Sequence, residues 1–173
     1  MNQVKNNNKY HRSTIVIHWF TAVLIIILFP LGKYMEGLEN SEKLGLIKLH
    51  AFLGAIVLVL TLIRSWLFFK KERPQNVKTG SRINDKLIIW IHNLFYFLLF
   101  GLSFSGIATI FLGGYAKALQ IGNSELIKIP TNIPALKAHG IMATIMMLLL
   151  LLHVIGVIKH YINTKENTLK RIF

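Results

Sequence analysis

Residues 138–158 read AHGIMATIMMLLLLLHVIGVI, an apolar stretch interrupted by His139 and His153. As a helix it rises about 31 Å, enough to cross a hydrocarbon core of about 30 Å. The two histidines stand fourteen residues apart. At about 1.5 Å and 100° per residue, that interval separates them by about 21 Å along the axis and returns the second to nearly the same face. One helix can thus serve two stacked sites. An ionisable side chain inside a bilayer is costly and points to function. Imidazole is a common axial ligand of haem iron, and the partner ligands must come from other helices.

Composition points to the same class. The chain is 53% hydrophobic, and four spans emerge at Ile15–Leu31, Leu49–Phe69, Leu87–Leu112 and Ala138–Ile158. The expected fold is all-α, an integral membrane four-helix bundle forming a single domain over residues 1–173. Cysteine is absent, which excludes disulfides, cysteine-bound iron–sulfur clusters and covalently attached c-type haem. The first span follows a basic, Asn-rich leader, yet no small-x-small cleavage site follows Phe29-Pro30-Leu31, so it reads as a retained helix. Pro30, Gly32 and Gly37 mark its exit, and Gly113-Gly114 closes the third span. A short surface helix is expected around Tyr115–Leu119.

The net charge of +13 would suggest nucleic acid in a soluble protein, but its distribution signals topology instead. The N-terminus (Lys5, Lys9, Arg12), the stretch from Arg64 to Lys86 and the C-terminus (Lys159, Lys165, Lys170, Arg171) hold fourteen of the twenty basic residues. By the positive-inside rule both termini and the Lys70-Lys71-Glu72-Arg73-Pro74 connector are cytoplasmic, and no nucleic-acid partner is expected. His18 and His153 then lie toward the cytoplasmic side, while His50 and His139 begin their helices at the outer side. Each couple can grip one haem between two helices. Other readings of these residues stand beside this one: His50 and His139 suit interface anchors, and His18 beside Trp19 suits an aromatic belt. His153 is harder to explain as an anchor, because it is flanked by apolar residues with no water to satisfy it. Depth also admits His92 as a ligand in place of His18. His160 returns to the face of His153 near the surface and suits a haem propionate or a quinone headgroup; His11 precedes the span and reads as solvated.

The residues resemble a known family, the bacterial diheme cytochrome b561 proteins, the group that includes the inner-membrane superoxide oxidase. The resemblance rests on Tyr10, Ile17-His18-Trp19, His50-x-x-x-Gly54 with Arg64, and His92 with Tyr96 and Gly106. It continues through His139, His153-Val154, Lys159-His160 and Thr168-Leu169-x-Arg171. It implies that His18 and His153 bind one haem b on the cytoplasmic side, that His50 and His139 bind a second on the periplasmic side, and that His92 is a neighbour of the ligands. Many members carry an acidic residue after the first histidine of the last helix; here Gly140 stands there, which implies different hydrogen bonding around the outer haem.

With both axial positions filled, electron transfer is favoured over oxygen activation. The expected function is electron transfer through the bacterial inner membrane, oxidising periplasmic superoxide and reducing ubiquinone. Lys48 and Lys137, each two residues before an outer histidine, can pair with propionates or concentrate an anionic substrate. Arg64, His160 and Tyr161 are candidates for the quinone's surroundings. Two other classes compete: a membrane anchor and electron conduit for a soluble dehydrogenase or hydrogenase partner, and a haem-free small transporter. The latter would be expected to place Asp or Glu within the spans, and none falls there.

Overall fold

The structure is a computed structural model that describes residues 9–71 and 81–165. Among them are five α-helices: α1 (Arg12–Glu36), α2 (Asn40–Lys70), α3 (Arg82–Leu112), α4 (Tyr115–Ile121) and α5 (Pro134–Thr164). Short 3-10 turns occupy Ser124–Leu126 and Pro130–Asn132. α1, α2, α3 and α5 are long and apolar enough to cross a membrane. The basic stretch from Glu72 to Lys78 and the Thr168-Leu169-x-Arg171 motif, together with Lys5 and Lys170, lie outside the described residues.

Each expected span lies within its helix, but the helices run further. α1 has 25 residues, and α2, α3 and α5 have 31 each. About 20 residues suffice for the hydrocarbon; the surplus turns keep their backbone hydrogen bonds while entering the polar interface. The expected exit at Pro30 is therefore corrected. Proline removes the hydrogen bond its N–H would have donated one turn back and its ring crowds the carbonyl there, yet the residues after it keep their own N–H donors and α1 continues through Pro30 to Glu36. Only Gly37-Leu38-Glu39 separates α1 from α2. The Gly37 N–H donates to the Tyr34 carbonyl at 3.3 Å, and the Glu39 N–H donates to the Glu42 carboxylate at 3.3 Å, capping the next helix. His50 is accordingly not at a helix start, as expected from sequence; it lies more than two turns inside α2.

α1 packs on α2, α2 on α3, and α3 on α5. The pairs α1 with α5 and α2 with α5, which carry the expected ligand couples, are not among the closely packed pairs of the described residues. Phe20, Val23 and Ile27 of α1, Phe97 and Phe104 of α3, and Leu148, Leu151 and Leu152 of α5 are all exposed. So much outward apolar surface suits lipid rather than water. Leu24, Val57, Leu98, Leu99, Met146 and Leu149 form the buried centre.

The expected short helix is α4. With the loops that follow, it joins Ile47 of α2 in a second cluster of Tyr115, Ala118, Ile127 and Ile133. One end of the bundle is thereby capped; the other carries the start of α1 and the end of α5. The cap depends on Gly114, which has φ +80° and where any Cβ would collide with the Leu126 carbonyl. Gly114→Ala is expected to lower the thermal midpoint of the detergent-solubilised protein by more than Gly122→Ala. Gly122 shares the left-handed backbone (φ +76°) but has open space around it, so only the conformational cost of about 1–2 kcal/mol applies there.

Candidate functional site

The interval between His139 and His153 recurs on every spanning helix. His18 and Gly32 of α1, His50 and Arg64 of α2, and His92 and Gly106 of α3 are each fourteen residues apart. In an up-and-down bundle these pairs fall into two layers about 21 Å apart. The capped layer holds Gly32, His50, Gly106 and His139, and the terminal layer holds His18, Arg64, His92 and His153. Midway between them, seven residues from each layer, come Ile25, Val57, Leu99 and Met146, all of the central apolar cluster. An apolar septum separates the two layers.

In the capped layer the His50 and His139 ring centroids are 6.1 Å apart with their planes at 69°. Two metal–imidazole bonds of about 2 Å plus two ring radii of about 1.1 Å span about 6.2 Å. The separation would admit one metal between imidazoles on opposite sides of it, and it also lies within the ordinary range of an edge-on ring contact. His139 Nδ1 lies 3.0 Å from the Leu102 carbonyl and 3.1 Å from Ser105 Oγ. A carbonyl can only accept, so Nδ1 carries the proton and Nε2 keeps its lone pair for iron. Ser105 Oγ also donates to the Leu102 carbonyl at 3.1 Å, which fixes this corner. His50 Nδ1 is buried without a hydrogen-bond partner. Each ring rests against a glycine of the preceding helix: a Cβ on Gly32 would come within 3.4 Å of His50 Cε1, and one on Gly106 within 3.3 Å of His139 Cε1. Beside Gly140 a Cβ would meet nothing within 4 Å, and the orienting bond comes from α3 instead.

The terminal layer is more polar. His153 meets His92 edge-on at 5.3 Å and Phe95 at 5.5 Å. The His92 contact is shorter than the about 6.2 Å that a shared metal asks for, and His92 Nδ1 donates to its own helix at the Ile88 carbonyl, 2.7 Å away. His18 lies edge-on to Trp19 at 5.6 Å, and Arg64, His92 and His153 all act on it electrostatically. Arg64 sits over the Tyr96 ring, its Cζ 5.5 Å from the centroid. His92 and His153 are therefore in direct contact, with His18 on the same register.

The remaining candidates lie outside the layers. Lys48 and Lys137 are exposed, about 200° around their helices from His50 and His139. His160 sits near the end of α5, where the Thr164 hydroxyl donates to its carbonyl at 2.8 Å. Tyr161 is exposed nearby. His11 is exposed at the N-cap of α1 and bonds Ser13 at 2.7 Å. Sequence reasoning missed Gly32, Leu102 and Ser105. The recurring fourteen-residue offset would have found Gly32; nothing local marks the other two.

The donor set fits haem b. Two imidazoles whose separation would admit one metal, one of them oriented through Nδ1, lie on different helices, and the chain has no cysteine to offer a thiolate. The comparisons agree. The family described as prokaryotic cytochrome b561 matches residues 9–173. A protein named cytochrome b562 from Cereibacter sphaeroides is 28% identical over 169 residues, spanning 94% of each chain. No solved structure matches. With four apolar helices around paired histidines, and a family match over nearly its whole length, the chain belongs to the prokaryotic cytochrome b561 family and is a multi-pass bacterial b-type cytochrome that transfers electrons.

Proposed function

We propose that the chain is a diheme inner-membrane cytochrome that oxidises superoxide on the capped, periplasmic side and reduces ubiquinone. The observation that carries the reading is the pair of polar layers on one register, with the His50–His139 separation at 6.1 Å. His50 and His139 hold one haem b, and His18 and His153 the other. Bound there, haem b supplies a one-electron centre in each layer. His139, fixed by the Leu102 carbonyl and Ser105, presents Nε2 in one orientation, and Gly32 and Gly106 leave the rings room to face each other. The septum of Ile25, Val57, Leu99 and Met146 excludes water, so electrons cross between the layers and protons do not. The uneven distribution of basic residues along the sequence supports a cytoplasmic location for both termini under the positive-inside rule.

Two superoxide ions give up one electron each and leave as dioxygen; one quinone takes both electrons with two protons and leaves as quinol. Lys48 and Lys137 flank the entry side, where they attract an anion or pair with propionates. Arg64, His160 and Tyr161 line the approach for the quinone. Generated superoxide is expected to reduce the purified protein, and added ubiquinone to reoxidise it. Absence of superoxide-driven reduction, with a dehydrogenase or hydrogenase subunit copurifying, would assign the chain instead as a partner's electron conduit.

A further inference from the structure

The two layers share a register but not a charge. In the terminal layer the α2 position is Arg64; in the capped layer the corresponding α1 and α3 positions are Gly32 and Gly106. All seven acidic residues of the chain fall outside the four spans, so no carboxylate stands within a span to neutralise the guanidinium. Arg64 could reach for the nearby surface, as arginines near helix ends do. It lies instead against Tyr96, one turn beyond His92 on α3. It stands on the register of His18, His92 and His153, about 21 Å along the bundle from that of His50 and His139. The lysines nearest the capped layer, Lys48 and Lys137, are exposed and screened by water.

We propose that Arg64 makes the terminal layer the electron-accepting end of the pair, raising the electron affinity of the group held by His18 and His153 above that of the group held by His50 and His139. The inference rests on the two-haem reading above. A cation stabilises the reduced, more negative state of a neighbouring redox group. With an effective dielectric of about 20, a unit charge about 8 Å away strengthens electron binding on the order of thirtyfold. In the other layer, more than about 20 Å away, the same charge contributes only about fourfold. The difference is about tenfold, or about 60 mV for one electron. Electrons entering at the capped face would therefore run downhill to the terminal face. The class of reaction this serves is a reductant outside and an acceptor inside.

Potentiometric titration of the haem absorbance tests this in the purified full-length protein. Two components are expected in the wild type, and His139→Ala should remove the lower-potential one. Arg64→Gln should lower the higher component about thirtyfold in electron affinity and the lower one only about fourfold, so that the gap between them closes about tenfold; Arg64→Lys should shift neither by more than about threefold. Loss of the higher component in His139→Ala would overturn the proposal, and this order is decided even if Arg64→Gln fails to hold haem. Equal movement of both components in Arg64→Gln, no movement of either, or a fall in Arg64→Lys as large as in Arg64→Gln would also overturn it while leaving the two-haem reading intact. A single haem in the wild type would remove that reading and the inference with it.

Discussion

His139→Ala is expected to halve the haem b content of the purified protein, from two per chain to one, and His50→Ala to remove the same spectral component. The two rings stand 6.1 Å apart, so each supplies one axial position, and neither substitution leaves a neighbouring imidazole to replace it. The capped layer contains glycine at its other two positions. His18→Ala and His153→Ala should deplete the other component. The terminal layer has a spare histidine, so the decisive comparison there is between His18→Ala and His92→Ala. His92 is engaged with the Ile88 carbonyl and sits 5.3 Å from His153, less than the about 6.2 Å that two imidazoles on opposite sides of one metal would need; His92→Ala should keep both haems. Pyridine haemochrome analysis reads all five variants. Loss of a haem in His92→Ala but not in His18→Ala would reassign the ligand, and a wild-type content near one would end the two-layer scheme.

Gly106→Val should empty the capped site nearly as completely as His139→Ala, although it removes no ligand. A Cβ on Gly106 already comes within 3.3 Å of His139 Cε1, and the added methyl groups of valine have only the ring to displace. The ring cannot retreat without breaking its bonds to the Leu102 carbonyl and Ser105. Ligand geometry tolerates little such movement. Gly106→Ala is a graded case: the neighbour must yield only a few tenths of an ångström, while alanine favours the helix by about 1 kcal/mol. It should retain haem with a shifted spectrum. Gly32→Val should act the same way through His50, whose Cε1 would face a Cβ at 3.4 Å. Gly156→Ala, with nothing within 4 Å of the added atom, serves as the control that keeps both haems. Full occupancy in Gly106→Val would mean that the glycine seat does not position the ligand.

The spans, their number, and the interval between His139 and His153 were legible from residue types and spacing, because apolar length and helical pitch are local properties. The short helix after Gly114 was legible for the same reason. Helix ends were less so: Pro30 reads as punctuation, yet its neighbours' backbone hydrogen bonds carry α1 on to Glu36. The fourteen-residue offset was written into all four helices, but only the histidine pair on α5 drew attention. Glycine and arginine do not declare themselves members of a layer until the contact of Gly32 with His50, or of Arg64 with Tyr96, is seen. The Leu102 carbonyl was invisible in principle, since every residue has one.

Within a single helix, rise and rotation per residue settle which side chains share a face and how far apart they stand, so the amino-acid order alone put His139 and His153 about 21 Å apart on nearly one face of α5. How the helices are turned toward one another depends on packing between segments remote in the chain, which no local periodicity encodes. That packing set the 6.1 Å between His50 and His139, brought His92 against His153, and placed Arg64 in one layer opposite the glycines of the other.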